Sequence, residues 1–201
     1  GVELALRGGA AEGRRVGLVG LGTGTLAAYG RPGDTFRFYE INPLVVELAN
    51  RHFRYLAETP ARVEIVLGDA RLAMEGEPPQ AYDVLVVDAF SGDSIPVHLL
   101  TREAFALYFR HMKPEGTLAV HLTNRYLDLA PVVEAVSKAL GRTSLIVRGT
   151  GDGGAAYSSV WALVTGDPRV SAAAPKTAAL LRRRTVPVWT DDYSNVFRLL
   201  R

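Results

Sequence analysis

The stretch that decides the fold of this chain runs from Arg15 to Pro43 and reads RVGLVGLGTGTLAAYGRPGDTFRFYEINP. Its apolar run from Val16 to Val19 is typical of a buried strand, and the glycine-rich turn GLGTG at 20–24 follows directly. A short helix and a second strand, 35–39, then lead to Glu40. Strand, glycine turn, helix, strand and terminal acid is the layout of a βαβ unit that binds a nucleoside.

The turn and the acid have separate predicted roles. Three glycines, Gly20, Gly22 and Gly24, with Thr23 between the last two, let the backbone come close to a ligand at the start of the helix. A carboxylate at Glu40 can accept hydrogen bonds from both ribose hydroxyls. A tight turn without a ligand is the alternative, and the terminal acid makes nucleoside binding the better interpretation.

Length and composition predict one soluble globular domain. The chain has 201 residues, of which 48% are hydrophobic and 22% charged. We expect a lead-in at 1–14 and a single domain at 15–201. The formal net charge is only +2, and the basic run 182–184 is more typical of a solvated helix end than of a nucleic-acid site. No nucleic-acid partner is expected.

Several classes of site and segment are unsupported by the sequence. It contains no cysteine, which excludes disulfides and thiolate metal sites. The histidines His98, His111 and His121 lie in three separate predicted elements without ligand spacing, so no metal site is expected. No apolar run reaches the ~18 residues of a membrane helix, and no signal peptide is visible. We therefore expect a location in the cytoplasm or at the cytoplasmic face of a membrane protein.

After Pro43 the sequence alternates helices with strands, which predicts an α/β fold with a doubly wound, mostly parallel sheet. The apolar positions Leu44, Val45, Leu48, Ala49 and Phe53 recur at the spacing of one helix face. Further strands are predicted at 63–67, 83–87 and 117–121, further helices at 101–111 and 131–140, a turn at 113–116, and an antiparallel edge pair at 144–147 and 159–164 joined by a glycine-rich hairpin or lid at 149–154.

Acidic side chains follow three successive predicted strands. The three acids are Glu40, Asp69 and Asp88. Ile41 and Ala70, which directly follow the first two, are also candidates for cofactor binding. Because the carboxyl ends of parallel strands meet at one edge of a sheet, these acids are expected to share a pocket, although each could simply cap a helix. Asp69 is placed to accept from the exocyclic amine of a purine. Asp88, nearest the glycine turn, suits a cationic substrate or a proton taken from a nucleophile.

Two further groups of polar residues extend this prediction. The stretch DAFSGDSIP adds Ser91 and Asp93, and WTDDYSN near the end adds Asp191, Asp192 and Tyr193. All five are candidates for substrate binding. For Asp191 and Asp192 a solvated turn is an equally good interpretation.

The motifs GLGTGT, YEINP, GDAR and YDVLVVDAFSGDSIP, in this order and spacing, resemble those of spermidine synthases, the polyamine aminopropyltransferases. The stretches DAFSGDSIPVHLLTREAF and NRYLDLAP are most similar to the spermidine synthase-like domain fused to a transporter-like region in many bacteria. The resemblance implies the Rossmann-like fold of class I S-adenosylmethionine-dependent methyltransferases. It also implies transfer of an aminopropyl group from S-adenosylmethionine, or its decarboxylated form, to a polyamine or related small amine, which releases methylthioadenosine.

Residue roles follow from the same resemblance. The three glycines match those beside the methionine-derived part of the cofactor, Glu40 the ribose acid and Asp69 the adenine-binding acid. Asp88 matches the aspartate taken as the catalytic base. A homodimer and a place within a larger membrane-attached chain are both compatible with this resemblance.

Three departures from the family pattern leave other functions open. Thr23 stands where the family commonly has an aspartate that holds the aminopropyl amine, and Ser91 stands where it has a second aspartate, with Asp93 as a substitute. The usual β-rich N-terminal domain is expected to be missing here or reduced to some fourteen residues. An S-adenosylmethionine-dependent methyltransferase is therefore the main alternative, and a non-catalytic nucleoside-binding sensor is the second.

Overall fold

The computed structural model describes residues 1–7, 13–90, 95–149, 158–173 and 185–200. Their centre is a mixed seven-stranded sheet of order β3-β2-β1-β4-β5-β7-β6. The strands are β1 (Arg15–Val19), β2 (Thr35–Glu40), β3 (Arg62–Leu67), β4 (Tyr82–Val87), β5 (Met112–His121), β6 (Ser144–Gly149) and β7 (Ser159–Thr165).

Five neighbouring strands, from β3 to β5, run parallel, and β7 and β6 add an antiparallel edge. This confirms the predicted α/β class with its antiparallel edge. The chain order reverses at β1, since β2 and β3 lie on one side of it and β4 and β5 on the other. A ligand cleft is expected beyond the carboxyl ends at this point.

Seven α-helices surround the sheet within the described residues. They are α1 (Val2–Ala5), α2 (Pro43–His52), α3 (Tyr55–Glu58), α4 (Ala70–Gly76), α5 (Arg102–Arg110), α6 (Ala130–Ala139) and α7 (Pro168–Ala173). Short 3₁₀ helices occur at Thr25–Tyr29, Val97–Leu99 and Val196–Leu199. No helix in the described parts of the chain is long and apolar enough to cross a membrane.

Side-chain alternation along the buried strands produces an apolar cluster on each face of the sheet. On β4, Leu85 and Val87 belong to one cluster, together with Phe105 of α5. Val84 and Val86 of the same strand belong to the other. All six residues of β4 are buried, as expected for a central parallel strand covered on both faces.

Three local predictions differ from the structure. The helix after the glycine turn is a five-residue 3₁₀ helix, because only that many residues separate Gly24 from Gly30. The turn predicted at 113–116 lies inside β5 as a register irregularity, where Tyr82 pairs with Met112 but Val84 pairs with Thr117. The predicted hairpin or lid lies outside the described residues beyond Gly149.

The apolar face of α2 is buried less than its spacing predicts. Ala49 is fully buried, whereas Leu44 is 62% and Leu48 is 52% exposed. Only a narrow face of α2 contacts β2 and α3. Leu44 and Leu48 lie beside that face and are therefore exposed to solvent.

Candidate active site

The carboxyl ends of β1 to β4 meet at one edge of the sheet, as predicted. The residue that follows each of β1, β3 and β4 donates a backbone hydrogen bond to a neighbouring strand. The Gly20 N–H donates to the Tyr39 carbonyl at 2.9 Å, and the Asp88 N–H donates to the Val19 carbonyl at 2.9 Å. The Gly68 N–H donates to the Glu40 carbonyl at 2.8 Å. These bonds hold the glycine turn and the residues after β3 and β4 at one edge of the sheet.

A cavity of about 650 Å³ opens at this edge. This volume lies within the usual range for a small-molecule site. Seven of the predicted cofactor residues line it: Gly20, Gly22, Glu40, Ile41, Asp69, Ala70 and Asp88. Phe90, Pro96, His98 and Leu99, which the sequence did not single out as ligand contacts, form part of its wall.

Five of the other predicted residues are not among the described residues that line the cavity. Thr23 and Gly24 belong to the same turn but are not among the described lining residues, and neither are Asp191, Asp192 and Tyr193. The predictions for Ser91 and Asp93 fall on residues that the structure does not describe.

Two glycines of the turn are required for different reasons. Gly20 has a φ of +96°, and a Cβ there would lie 2.5 Å from the Asp88 carbonyl oxygen. Gly22 has a φ of +53°, and a Cβ there would meet nothing within 4 Å among the described atoms. Gly20 therefore allows β1 and β4 to approach each other. Gly22 presents open backbone to the cavity, which is the kind of surface that a bound nucleoside could cover.

Glu40 links the glycine turn to the end of β2. Its Oε2 accepts from the Leu21 N–H at 3.0 Å, and its Oε1 accepts from the Asn42 N–H at 2.9 Å. Each carboxylate oxygen has a second lone pair. The buried carboxylate is thus held rigidly at the cavity and can still accept from two ribose hydroxyls.

Asp69 both caps a helix and lines the cavity, so the two interpretations of this acid are not exclusive. Its Oδ1 accepts from the Leu72 N–H at 3.0 Å, which caps α4. Its Oδ2 lies 3.4 Å from Nε2 of His98. The cap fixes the carboxylate at the cavity, and its adenine-binding role stays a prediction.

Asp88 is paired with a histidine that sequence reasoning did not connect to it. Its Oδ1 lies 2.7 Å from Nδ1 of His121, the last residue of β5. Since Val87 pairs with Val120 in the parallel register, the two residues follow directly on neighbouring strands. The sequence placed a histidine at the end of the predicted strand 117–121, but it did not show which strand would lie beside it.

Asp191 is occupied by protein contacts. Arg71 of α4 binds it through two hydrogen bonds of 2.8 Å each, and the Thr101 hydroxyl donates to it at 2.7 Å. The Arg71 bonds, with help from Thr101, lower the pKa of Asp191 to about 2. Arg71 also donates to the His98 carbonyl at 2.9 Å, so this group of residues connects the C-terminal segment to the cavity wall.

The other two predicted substrate residues of this segment, Asp192 and Tyr193, belong to a tight turn. The Thr190 and Tyr193 backbones bond to each other at 2.9 and 3.2 Å, and Asp192 lies exposed at the tip. The solvated-turn interpretation fits Asp192. Amine binding by this segment stays a prediction.

We expect Arg71→Leu to lower the free energy of unfolding by about 1 kcal/mol, because the pair is bidentate but Asp191 is partly exposed. For a chain of this size that is about 2–4 °C in thermal midpoint. Because the folded pKa of Asp191 is depressed, the contribution is present above pH 3.8 and is lost as the pH falls toward about 2.

Thermal unfolding monitored by circular dichroism checks this expectation. Arg51→Leu is the matched control, since Arg51 is 72% exposed and lies 3.8 Å from Glu47. Equal midpoints for the two variants at neutral pH would show that the Arg71–Asp191 pair does not stabilise the fold.

The described residues contain no group of three or more histidines or acids arranged to hold a metal ion. The residues that line the cavity do fit an adenosyl sulfonium. The cavity combines open glycine backbone, the rigid Glu40 carboxylate and two further acids, Asp69 and Asp88. A cation is favoured beside three carboxylates, whereas a pyrophosphate would be repelled.

No protein-family model matches the chain. Its sequence is 37% identical over 94 residues to a polyamine aminopropyltransferase of Vibrio vulnificus, a match that covers 44% of this chain and 31% of the relative. It is 26% identical over 138 residues to a probable polyamine aminopropyl transferase of Bifidobacterium longum, covering 67% of this chain and 29% of the relative. The matches therefore span less than a third of these curated relatives.

Solved structures share the fold. A probable spermidine synthase from Corynebacterium glutamicum superposes with a TM-score of 0.63 at 21% identity, over 88% of this chain and 74% of that one. A spermidine synthase in complex with the transition state analogue AdoDATO gives 0.57 at 14%, over 90% and 63%. Human methyltransferase-like protein 13 in complex with SAH gives 0.62 at 21%, over 98% and 92%.

The topology and these neighbours show a Rossmann-like α/β fold. Over the matched stretches, the sequence is similar to those of polyamine aminopropyltransferases.

Proposed function

We propose that this domain transfers an aminopropyl group from an S-adenosylmethionine-type donor to a small amine. The observation that carries the proposal is the state of Asp88. One of its carboxylate oxygens is bound by His121, while the other has no hydrogen-bond partner among the described residues. A carboxylate held in this way beside the glycine turn can accept a proton from an attacking amine.

The chain's residues would divide the work as follows. Glu40 would hold the ribose and Asp69 the adenine amine, so that the donor carbon next to the sulfonium faces Asp88. The amine nitrogen would form a bond to that carbon as the carbon–sulfur bond breaks. The bonding electron pair would go to sulfur, giving neutral methylthioadenosine, and the excess amine proton would go to Asp88.

A methyltransferase remains the second candidate because of Thr23. Its hydroxyl lies 2.6 Å from that of Thr25, so a neutral pair stands where an aspartate would bind the aminopropyl amine. The same cofactor frame can present a methyl carbon instead. The human methyltransferase-like neighbour shares this fold, which is compatible with either chemistry.

The nucleoside product distinguishes these functions. The protein is incubated with S-adenosylmethionine or its decarboxylated form and a panel of amines, and the nucleosides are separated by chromatography. Amine-dependent methylthioadenosine supports the proposal, and S-adenosylhomocysteine would establish the methyltransferase. Cofactor binding by calorimetry with neither product would support the sensor.

We expect Thr23→Asp to raise the preference for decarboxylated donor over S-adenosylmethionine by about tenfold or more, which is ~1.4 kcal/mol of differential binding. The new carboxylate would attract the aminopropyl ammonium and repel the carboxylate of the undecarboxylated donor. The ratio of the two kcat/KM values, or of the two Kd values, measures this. Thr25→Val is the control, since it breaks the same hydroxyl contact without adding charge; an equal ratio change in that variant would contradict the electrostatic explanation.

A further inference from the structure

Besides its pairing with Asp88, the His121 ring is held in place by two aromatic side chains. It stacks on Trp161 of β7 with centroids 4.3 Å apart and planes 2° apart. Phe90 meets it edge-on at 5.0 Å. His121 and Trp161 are direct partners in the antiparallel register of β5 and β7, so the sheet itself sets the plane of the imidazole.

The second ring nitrogen is also bound, which determines where the ring proton lies. Nε2 of His121 lies 2.7 Å from Oγ1 of Thr123. That oxygen already accepts from the Val160 N–H at 2.9 Å, so the threonine's own hydroxyl proton is free to be donated to Nε2. A neutral His121 then carries its proton on Nδ1, where it is donated to Asp88.

We propose that His121 is a positioning residue for Asp88: it donates from Nδ1 to one carboxylate oxygen and thereby aims the other at the cavity. This inference rests on the proposed function for its catalytic meaning. The structural part, a donating Nδ1–H supported by Thr123 and Trp161, does not depend on which reaction the domain performs.

Two substitutions separate positioning from packing. The side-chain nitrogen of asparagine overlays Nδ1 of histidine, and that of glutamine overlays Nε2. His121→Asn therefore preserves a donor to Asp88, whereas His121→Gln preserves only the contact toward Thr123. We expect His121→Asn to keep most of the wild-type kcat and His121→Gln to lose at least about tenfold, with little change in KM for the amine.

The decisive experiment combines these kinetics with NMR of histidine-labelled protein. Long-range ¹H–¹⁵N correlations should show the Nδ1–H tautomer for His121, and Asp88→Asn should shift the Nδ1–H proton because its acceptor changes from a carboxylate to an amide. His98→Gln, at an exposed histidine of the cavity, should leave the His121 resonances in place.

An Nε2–H tautomer, or no response to Asp88→Asn, would overturn the inference, as would equal kcat values for His121→Asn and His121→Gln. If wild-type protein formed no amine-dependent methylthioadenosine, the proposed aminopropyl transfer would fail instead. The tautomer measurement would then still decide the Asp88–His121 arrangement.

Discussion

Asp88→Asn is expected to lower kcat by about 10²–10⁴-fold, the usual contribution of a general base. Asparagine has nearly the shape of aspartate, and its carbonyl oxygen can still accept the bond that Oδ1 of Asp88 receives from His121 at 2.7 Å. The substitution therefore removes proton affinity while it preserves the local geometry. Donor binding should weaken by no more than about tenfold, which reflects the loss of one negative charge near the sulfonium.

Steady-state kinetics with a saturating donor, together with calorimetric Kd values, measure the two quantities separately. Glu47→Gln is the control, because Glu47 is an exposed carboxylate on α2 that is not among the described lining residues of the cavity. Turnover near the wild-type rate in Asp88→Asn would show that Asp88 is not the base. If the Kd for the donor rose by the same factor by which kcat fell, Asp88 would be assigned to donor binding instead.

Asp34→Asn is expected to cost about 3–5 kcal/mol of unfolding free energy, or roughly 6–20 °C in thermal midpoint. The Asp34 and Arg14 side chains are only 1% and 2% exposed. Asp34 accepts from the backbone N–H of Arg14 at 2.9 Å and of Arg31 at 3.0 Å as well as from the Arg14 guanidinium. Loss of the charge would leave that guanidinium buried without an anion.

The pH dependence of this effect has a definite sign. Burial alone would raise the pKa of Asp34, but the hydrogen bonds from Arg14 and Arg31 outweigh it and hold the pKa below its ordinary value of 3.8. The carboxylate therefore stabilises the fold above that pH, and this contribution is lost as the pH falls further. The difference in unfolding free energy between wild type and Asp34→Asn should be largest at neutral pH and should decrease in acid.

Chemical denaturation at several pH values measures this difference. Arg7→Ala is the matched control, since Arg7 is 61% exposed in its pair with Glu3 and should change stability by less than about 1 kcal/mol. If Asp34→Asn does not fold, the double variant Arg14→Met with Asp34→Asn, which removes both charges and keeps a side-chain oxygen for the backbone N–H groups, should recover part of the stability. An Asp34→Asn variant as stable as wild type would show that the buried pair contributes nothing.

The sequence was sufficient where the site depends on a parallel sheet and on the residues that directly follow its strands. Alternating apolar runs and turns predicted the parallel sheet, and the acids after consecutive strands placed Glu40, Asp69 and Asp88 at one edge. The N-cap of α5 was also predictable, because Thr101 precedes a helical run and accepts from the Ala104 N–H.

Long-range side-chain pairing was not predictable in the same way. Arg71 and Asp191 are 120 positions apart, so no local pattern connects them. The His121–Asp88 bond depends on which strands become neighbours and in what register, which the sheet determines only after folding. The exposed Leu44 and Leu48 show the converse: helical spacing identifies an apolar stripe but not the width of the surface that covers it.

The mass of the amine product tests aminopropyl transfer most directly. Wild-type protein is incubated with decarboxylated S-adenosylmethionine and a polyamine, and the amine fraction is analysed by mass spectrometry. We predict an amine extended by one aminopropyl group, formed in equal amount with methylthioadenosine and absent with Asp88→Asn. Unmodified amine, or an amine that gains only a methyl group when S-adenosylmethionine is supplied, would contradict the proposal.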